Sequence, residues 1–141
     1  MKNSVLDTRD LAEKRDELKE QILDSFKETF EHYAEQTENF EDILFEEEEI
    51  QSWKEIWEDE LKEIEEINEI EEKCSEFQYG ETLIREDYWE EYCEELCIEC
   101  GYISKDLPSW IEIDWSRTAG NISKDYSVLE YQGETYYFRN V

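Results

Sequence analysis

Basic residues are scarce in this sequence. Of its 141 residues, 14 are Lys or Arg and 42 are Asp or Glu, which gives a formal net charge of -28 at pH 7. Direct binding to nucleic acid is disfavoured, because phosphate contacts need clustered Lys and Arg. An anionic membrane surface is excluded as a partner by the same sign of charge. We therefore expect a basic partner.

Glycine and histidine are also rare. The four Gly, at positions 80, 101, 120 and 133, lack the spacing of a dinucleotide-binding or phosphate-binding loop. His32 is the only histidine, so a Ser-His-Asp or Cys-His arrangement would have to be built around it. It lies in a charged sequence, and we expect a solvated or edge-packed ring. Pairs of carboxylates are too numerous to be informative. The sequence predicts a protein that is not an enzyme and needs no cofactor.

Long hydrophobic runs are missing. No segment approaches the roughly 18 apolar residues of a membrane span, and the first ten residues contain no hydrophobic signal core. We expect a soluble protein that is not secreted. Four Cys without a secretion signal then indicate a reducing cytoplasm, where disulfides are rare.

Aromatic residues, by contrast, are plentiful. The chain has 20 of them, five of which are Trp, whereas a disordered chain is poor in such residues. The charge far exceeds the magnitude of about 2 to 8 that keeps a small domain soluble. The composition therefore predicts a folded protein whose self-repulsion is offset by an aromatic core.

The most acidic stretch runs from Glu41 to Glu72. It holds 16 acidic residues and two Lys, so its balance is 2 - 16 = -14, half of the net charge. Apolar residues recur within it at steps of three and four, which predicts an amphipathic helix from about Glu41 to Cys74 with a bend near the four consecutive Glu. The stretch would form a rod of about 48 Å. Duplex DNA carries about 28 phosphates over that length, so the helix would supply about half that charge density. The apolar series is Ile50, Trp53, Trp57, Leu61 and Ile64.

A second amphipathic helix is predicted upstream, from Asp7 to about Thr37, with Asp7 or Thr8 as its cap. The two helices would form a hairpin over residues 1–76. Ile56, Ile67, Ile70 and Cys74 lie off the main apolar stripe. They predict a second face that packs on the rest of the chain or on a second copy in a homodimer.

Residues 77–141 differ in composition and predict a small α+β domain. A helix over residues 86–100 would end at Gly101, and Asp114 would cap another helix to about Lys124. The Gln132-Gly133 pair, between two runs rich in aromatic and β-branched residues, predicts a β-hairpin. The fold class is mainly α, with a coiled-coil-like hairpin followed by this small domain.

Three cysteines have the CxxxCxxC spacing of the cluster-binding motif of radical SAM enzymes. They share one apolar helical stripe with Trp89 and Leu96, which favours burial in a core. A structural metal site with Cys74 as the fourth ligand is the alternative. The three are Cys93, Cys97 and Cys100.

The last part of the chain, residues 79–141, resembles ArdA-type antirestriction proteins and related phage proteins. The resemblance rests on the acidic helix Glu90 to Glu95, on Pro108, on Ile113-Asp114-Trp115, on Asp125-Tyr126 and on the terminal residues 137–140. It implies an elongated, often dimeric DNA mimic that blocks type I restriction–modification enzymes of a bacterial host. The upstream acidic domains of that family are missing here, and a helical hairpin stands in their place.

We therefore expect an inhibitor that fills the basic DNA-binding groove of a host defence protein, either a type I restriction–modification enzyme or a CRISPR effector. The alternative is a non-catalytic coiled-coil adaptor or dimerisation protein of a phage or mobile element. The residues expected to contact the partner are Glu46, Glu47, Glu48, Glu49, Glu58, Asp59, Glu60, Glu63, Glu65, Glu66, Glu69, Glu90, Glu91, Glu94 and Glu95.

Overall fold

The computed structural model describes residues 4–139. They form two compact units. The first, called here the helical unit, contains residues 9–73. The second, the sheet unit, contains residues 74–139 together with residues 4–8. The sequence-based boundary after residue 76 lies a few residues beyond this division, and it left residues 4–8 with the helices.

The helical unit begins with one long helix, α1 (Thr8–Thr29), followed by a single turn, α2 (Glu31–Ala34). Two more helices end the unit: α3 (Gln51–Ile56) and α4 (Glu58–Lys73). The apolar series predicted for the two arms meet in one core, which confirms the helical hairpin. The buried members of this core are Leu18, Ile22, Phe26, Ile43, Ile50, Trp53 and Ile64.

Trp53 connects the two arms. Its ring lies edge-on to Phe26 at 5.4 Å between centroids, and its indole Nε1 donates to Ser25 Oγ at 2.9 Å. The buried indole N–H is thus satisfied while the ring contributes apolar area, as large aromatic side chains require.

The predicted helix from about Phe40 or Glu41 to Cys74, with a bend near Glu46 to Glu49, is wrong in its first part. Residues 40–50 contain two short 3-10 turns, Phe40–Asp42 and Glu48–Ile50, and the second of them leads directly into α3. The side-chain Nε2 of Gln51 donates to the carbonyl oxygens of Phe45 and Glu47, at 2.6 and 3.0 Å. These carbonyls are therefore satisfied without a continuing helix.

A second break separates α3 from α4 at Trp57, whose φ of -101° and ψ of 14° are not helical. The 48 Å rod is thus replaced by α4, whose 16 residues span about 24 Å.

The sheet unit contains a four-stranded antiparallel sheet in the order β1-β2-β4-β3. Its strands are β1 (Val5–Asp7), β2 (Thr82–Arg85), β3 (Tyr126–Tyr131) and β4 (Glu134–Arg139). The predicted hairpin of β3 and β4 is confirmed. Its two-residue turn has Gln132 at φ 51° and Gly133 at φ 78°, the left-handed conformations of a type I′ turn.

Strands β1 and β2 differ from the sequence-based expectation. Asp7 or Thr8 was predicted to cap the first helix. Asp7 is the last residue of β1, where it pairs with Thr82, and α1 begins directly after it at Thr8. Thr8 Oγ1 donates to the carbonyl of Phe77 and accepts from the N–H of Glu81, both at 2.8 Å. The Thr8 hydroxyl therefore hydrogen-bonds to the segment that precedes β2.

Two helices complete this unit: α5 (Trp89–Glu99) and α6 (Trp115–Ile122). The helix α5 ends as predicted, with Gly101 at φ 76° and with the N–H of Tyr102 bonded to the carbonyl of Cys97 at 3.0 Å. Asp114 caps α6 by accepting from the N–H of Arg117 at 3.1 Å.

The core of the sheet unit is built around Trp89. Its Nε1 donates to the carbonyl of Ala119 at 3.1 Å, and its ring stacks on Tyr137 at 4.4 Å between centroids. Cys93 is fully buried beside it, which confirms core packing for that thiol. Cys74 and Cys97 are buried as well, whereas Cys100 is exposed.

Within residues 4–139, no helix has both the length and the apolar character needed to cross a bilayer.

Candidate functional site

The helix α4 separates an apolar face from an acidic one. Ile64, Ile67 and Ile70 are buried. Four exposed carboxylates follow one another at steps of seven, four and three residues, which places them on one face of the helix. They span about 21 Å, or one carboxylate per about 7 Å. We call this row the acidic stripe: Glu58, Glu65, Glu69 and Glu72.

The structure places most predicted residues of α4 at the surface. Glu58, Asp59, Glu65 and Glu69 are exposed, and Glu60 and Glu66 are half-buried. Glu72 was missed by the sequence-based prediction, although the step of seven residues from Glu58 through Glu65 leads directly to it.

Glu63 is the exception, and its prediction as a partner-binding residue is wrong. Its residue exposure is only 9%, and its carboxylate pairs with Lys14 Nζ at 2.9 Å. The same helical period that exposes the stripe turns Glu63 towards the protein, because it lies four residues before the buried Ile67 and seven before the buried Ile70. This carboxylate contributes to internal electrostatics and is not presented to a partner.

The run Glu46 to Glu49 is exposed, but it precedes α3 and does not extend the acidic stripe along α4. Glu49 accepts a hydrogen bond from the Tyr33 hydroxyl and lies 3.4 Å from His32 Nε2. The bond from Tyr33, followed by the contact with His32, holds the pKa of the Glu49 carboxyl below its ordinary value. The same bond raises the pKa of Tyr33. His32 is solvated at the edge of the unit, as predicted, with its side chain 59% exposed.

The helical unit keeps a strong negative charge. Residues 9–73 contain 26 acidic and 8 basic residues, so their net charge is 8 - 26 = -18. Four of these basic residues form ion pairs with acidic residues of the same unit. The pairs are Lys14–Glu63, Arg15–Glu71 and Lys19–Glu41 at 2.9 Å, and Lys62–Glu58 at 3.9 Å.

An open cavity of about 520 Å³ lies within the same unit, beside the acidic stripe. We call it the α3–α4 cavity. Its apolar walls are Phe40, Phe45, Leu61 and Ile64, and its rim carries both carboxylates and ammonium groups. The rim residues are Gln51, Lys54, Glu55, Glu58, Lys62, Glu65 and Asn68.

A second acidic patch lies on α5 in the sheet unit. Glu90, Glu91 and Glu95 are exposed, and Glu94 is half-buried. The Tyr88 hydroxyl donates to both carboxylate oxygens of Glu95, at 3.0 and 2.9 Å, and this hydrogen bond raises the pKa of Tyr88. This bond links the residue that precedes α5 to the second turn of the helix.

In the part of the chain that the structure describes, no three His, Cys, Asp or Glu side chains converge as metal ligands. Comparisons with protein-family models, with curated proteins and with solved structures find no match to this chain.

Proposed function

We propose that this protein is an acidic DNA mimic that inhibits a DNA-binding defence enzyme of a bacterial host. The supporting observation is the acidic stripe of α4, where four carboxylates share one exposed face of a packed helix. A basic channel that binds DNA phosphates would meet a row of negative charges on this face.

The charge spacing supports substitution for one DNA strand. The stripe offers one carboxylate per about 7 Å, whereas a DNA strand offers one phosphate per about 3.4 Å of axis, so the stripe supplies about half of the density of a strand. The charges are also held on a helix whose opposite face is buried, so less conformational entropy is lost on binding than for a flexible acidic tail.

The target class rests on the resemblance of residues 79–141 to ArdA-type antirestriction proteins. It favours a type I restriction–modification enzyme, with a CRISPR effector as the second class. Both act in the bacterial cytoplasm, which is therefore the proposed location. The resemblance does not extend to the helical unit, so the length of the channel that the stripe fits has to be found by experiment.

A competition experiment tests the proposal. Labelled DNA is bound to a type I restriction–modification enzyme or to a Cas effector, and the protein is titrated at low and at high salt. We expect displacement of DNA from one of the two enzymes, with an affinity that falls as salt screens the carboxylates. Failure to displace DNA from either enzyme, by a protein shown to be folded, would overturn it.

A second candidate function is that of a coiled-coil adaptor or a homodimer. It is favoured by two large apolar side chains on the helical unit, Ile56 and Leu44, which are 75% and 50% exposed. This function predicts self-association that persists at high salt, because apolar contacts are not screened. Sedimentation equilibrium of the wild type and of Ile56→Glu distinguishes the two: a salt-resistant dimer that disappears in the variant favours the adaptor.

A further inference from the structure

The α3–α4 cavity offers an open volume and apolar walls in addition to carboxylates. Its volume of about 520 Å³ lies within the range of roughly 300 to 1,000 Å³ that is typical of ligand pockets. Its aromatic walls are in mutual contact, with the rings of Phe40 and Phe45 at 5.6 Å between centroids. Both rings are partly buried and pack against the hydrophobic core cluster of the helical unit, so the apolar lining of the cavity continues into that core.

The aromatic walls already hold cations of the chain itself. Lys19 Nζ lies 5.4 Å from the centroid of Phe40, and Lys54 Nζ lies 5.8 Å from the centroid of Phe45. Ammonium groups are attracted to the faces of such rings. The surroundings of the cavity therefore accept positive charge next to apolar surface.

The rim provides acceptors for further positive charge. Glu55 and Glu65 are exposed, and among the described residues neither has an ion-pair partner within 4.0 Å. Glu58 pairs with Lys62 only at 3.9 Å, with both side chains largely exposed. Exposed pairs of this kind contribute little, so an incoming cation can replace Lys62 at small cost.

We propose that the α3–α4 cavity receives one large apolar side chain of a basic protein segment, whose Lys or Arg neighbours pair with Glu55, Glu58 and Glu65. The occupant is basic because the helical unit has a net charge of -18. It is apolar at its centre because the walls are Phe40, Phe45, Leu61 and Ile64. As an account of how the inhibitor is anchored, this inference rests on the proposed function, since the segment would belong to the enzyme's DNA-binding channel.

Such an anchor would make the binding of this protein to a basic channel differ from the binding of DNA to the same channel. DNA offers phosphates to a basic channel but no apolar cavity for a side chain that protrudes from it. The charged contacts weaken as salt is added, whereas burial of an apolar side chain does not. The protein would then keep part of its affinity at salt concentrations that release DNA.

Three short peptides test the proposal directly. The first contains only Lys and Arg around one central Phe, the second has Ala in place of that Phe, and the third has Ser in place of the basic residues. Binding to the full chain is followed by NMR through the methyl groups of Leu61 and Ile64. We expect the Phe peptide to bind about tenfold more tightly than the Ala peptide and to shift both methyl signals, with the ratio unchanged at high salt. The Ser peptide should bind far more weakly than the Phe peptide at low salt.

Equal affinities for the Phe and Ala peptides, or unchanged methyl signals of Leu61 and Ile64, would overturn the proposal. The variant Val128→Ala serves as a control, because this exposed side chain of the sheet unit does not line the cavity and its removal should leave peptide binding unchanged. Loss of the preference for Phe in this variant would place the apolar contact elsewhere and also overturn the proposal.

The outcomes separate this inference from the proposed function. Displacement of DNA without a preference for Phe would leave DNA mimicry standing and remove the anchor. A clear preference for Phe without displacement of DNA would keep the cavity as a site for basic segments of some other partner.

Discussion

Neutralising the acidic stripe should weaken inhibition without unfolding the protein. The variant changes four exposed glutamates to glutamine, which keeps size and hydrogen-bonding capacity while the formal net charge falls from -28 to -24. No packed side chain of the helical core is altered. We expect the free energy of unfolding to be unchanged or slightly higher, because self-repulsion decreases. The substitutions are Glu58→Gln, Glu65→Gln, Glu69→Gln and Glu72→Gln.

The size of the effect follows from the geometry of the stripe. Its carboxylates are about 7 Å apart along the helix, which is less than the Debye length of about 10 Å at 0.1 M salt, so neighbouring charges act together on a basic channel. An exposed ion pair contributes about 0.2 to 1 kcal/mol. Removing the four carboxylates should therefore weaken binding by about 2 kcal/mol, or roughly 30-fold in the inhibition constant at low salt.

The assay is displacement of labelled DNA from the target enzyme over a range of salt concentrations. The variant should be weaker at low salt, and its affinity should also depend less on salt. Near 1 M salt, where the Debye length is about 3 Å, variant and wild type should converge.

A matched control removes the same number of charges from the solvent face of α1 in the same unit. Its positions are all exposed: Glu13→Gln, Glu17→Gln, Glu20→Gln and Glu28→Gln. This control should inhibit about as well as the wild type. An equal decrease in both variants would show that only net charge matters, and no decrease in the stripe variant would refute mimicry by this face.

Three further predictions concern stability and thiol chemistry. Glu63→Lys replaces the carboxylate that pairs with Lys14 by a second ammonium group and should lower the free energy of unfolding by about 2 kcal/mol in a urea titration. An unchanged midpoint would show that the Lys14–Glu63 pair does not contribute to stability. Trp89→Ala removes the ring at the centre of the sheet unit and should cost about 4 kcal/mol by the same measurement; a decrease below about 1 kcal/mol would contradict this packing. Burial raises the pKa of the Cys93 thiol from its ordinary value of 9.0 to about 11, so this thiol stays protonated at about pH 8, and its contribution to stability is lost as the pH rises from about 9 to about 11. A thiol reagent at about pH 8 should therefore modify Cys100 alone in the folded protein, as mass spectrometry would show, and early labelling of Cys93 would contradict its burial.

The parts of the fold that follow from local periodicity could be predicted from the sequence. The apolar steps of α1 place Leu18, Ile22 and Phe26 on one face, and all three are buried. The Gln132-Gly133 turn was equally predictable, because a two-residue turn needs positive φ at both positions. Both elements depend on the spacing and type of neighbouring residues, so they can be predicted from the sequence.

The segment from residue 40 to residue 50 could not be predicted in this way. Its acidic residues are compatible with a helix, and the apolar steps from Ile50 onwards continue a helical pattern. The observed path depends on Gln51, whose side chain binds two carbonyls of this segment, and on burial of Ile43. A side-chain bond of this kind leaves no periodic trace in the sequence.

The acidic surface was only partly predictable. A run of acids shows that a face is charged, but the burial of each residue depends on the helical angle and on the neighbouring elements. Glu63 and Glu72 illustrate this, since the first is buried against Lys14 and the second is exposed on the stripe. Counting acids assigns both to the same surface, whereas the helical period separates them.

The pairing of β1 with β2 has a consequence for the order in which the chain folds. Asp7 and Thr82 are paired neighbours in one sheet, yet the whole helical unit lies between them in the sequence. During synthesis, β1 leaves the ribosome early and has no strand to pair with until β2 emerges, which makes this contact a slow, non-local step. The helical unit thus lies, along the chain, between two strands that are paired in the sheet. Substitutions on the acidic surface of the helical unit therefore leave the residues that pair β1 with β2 unchanged.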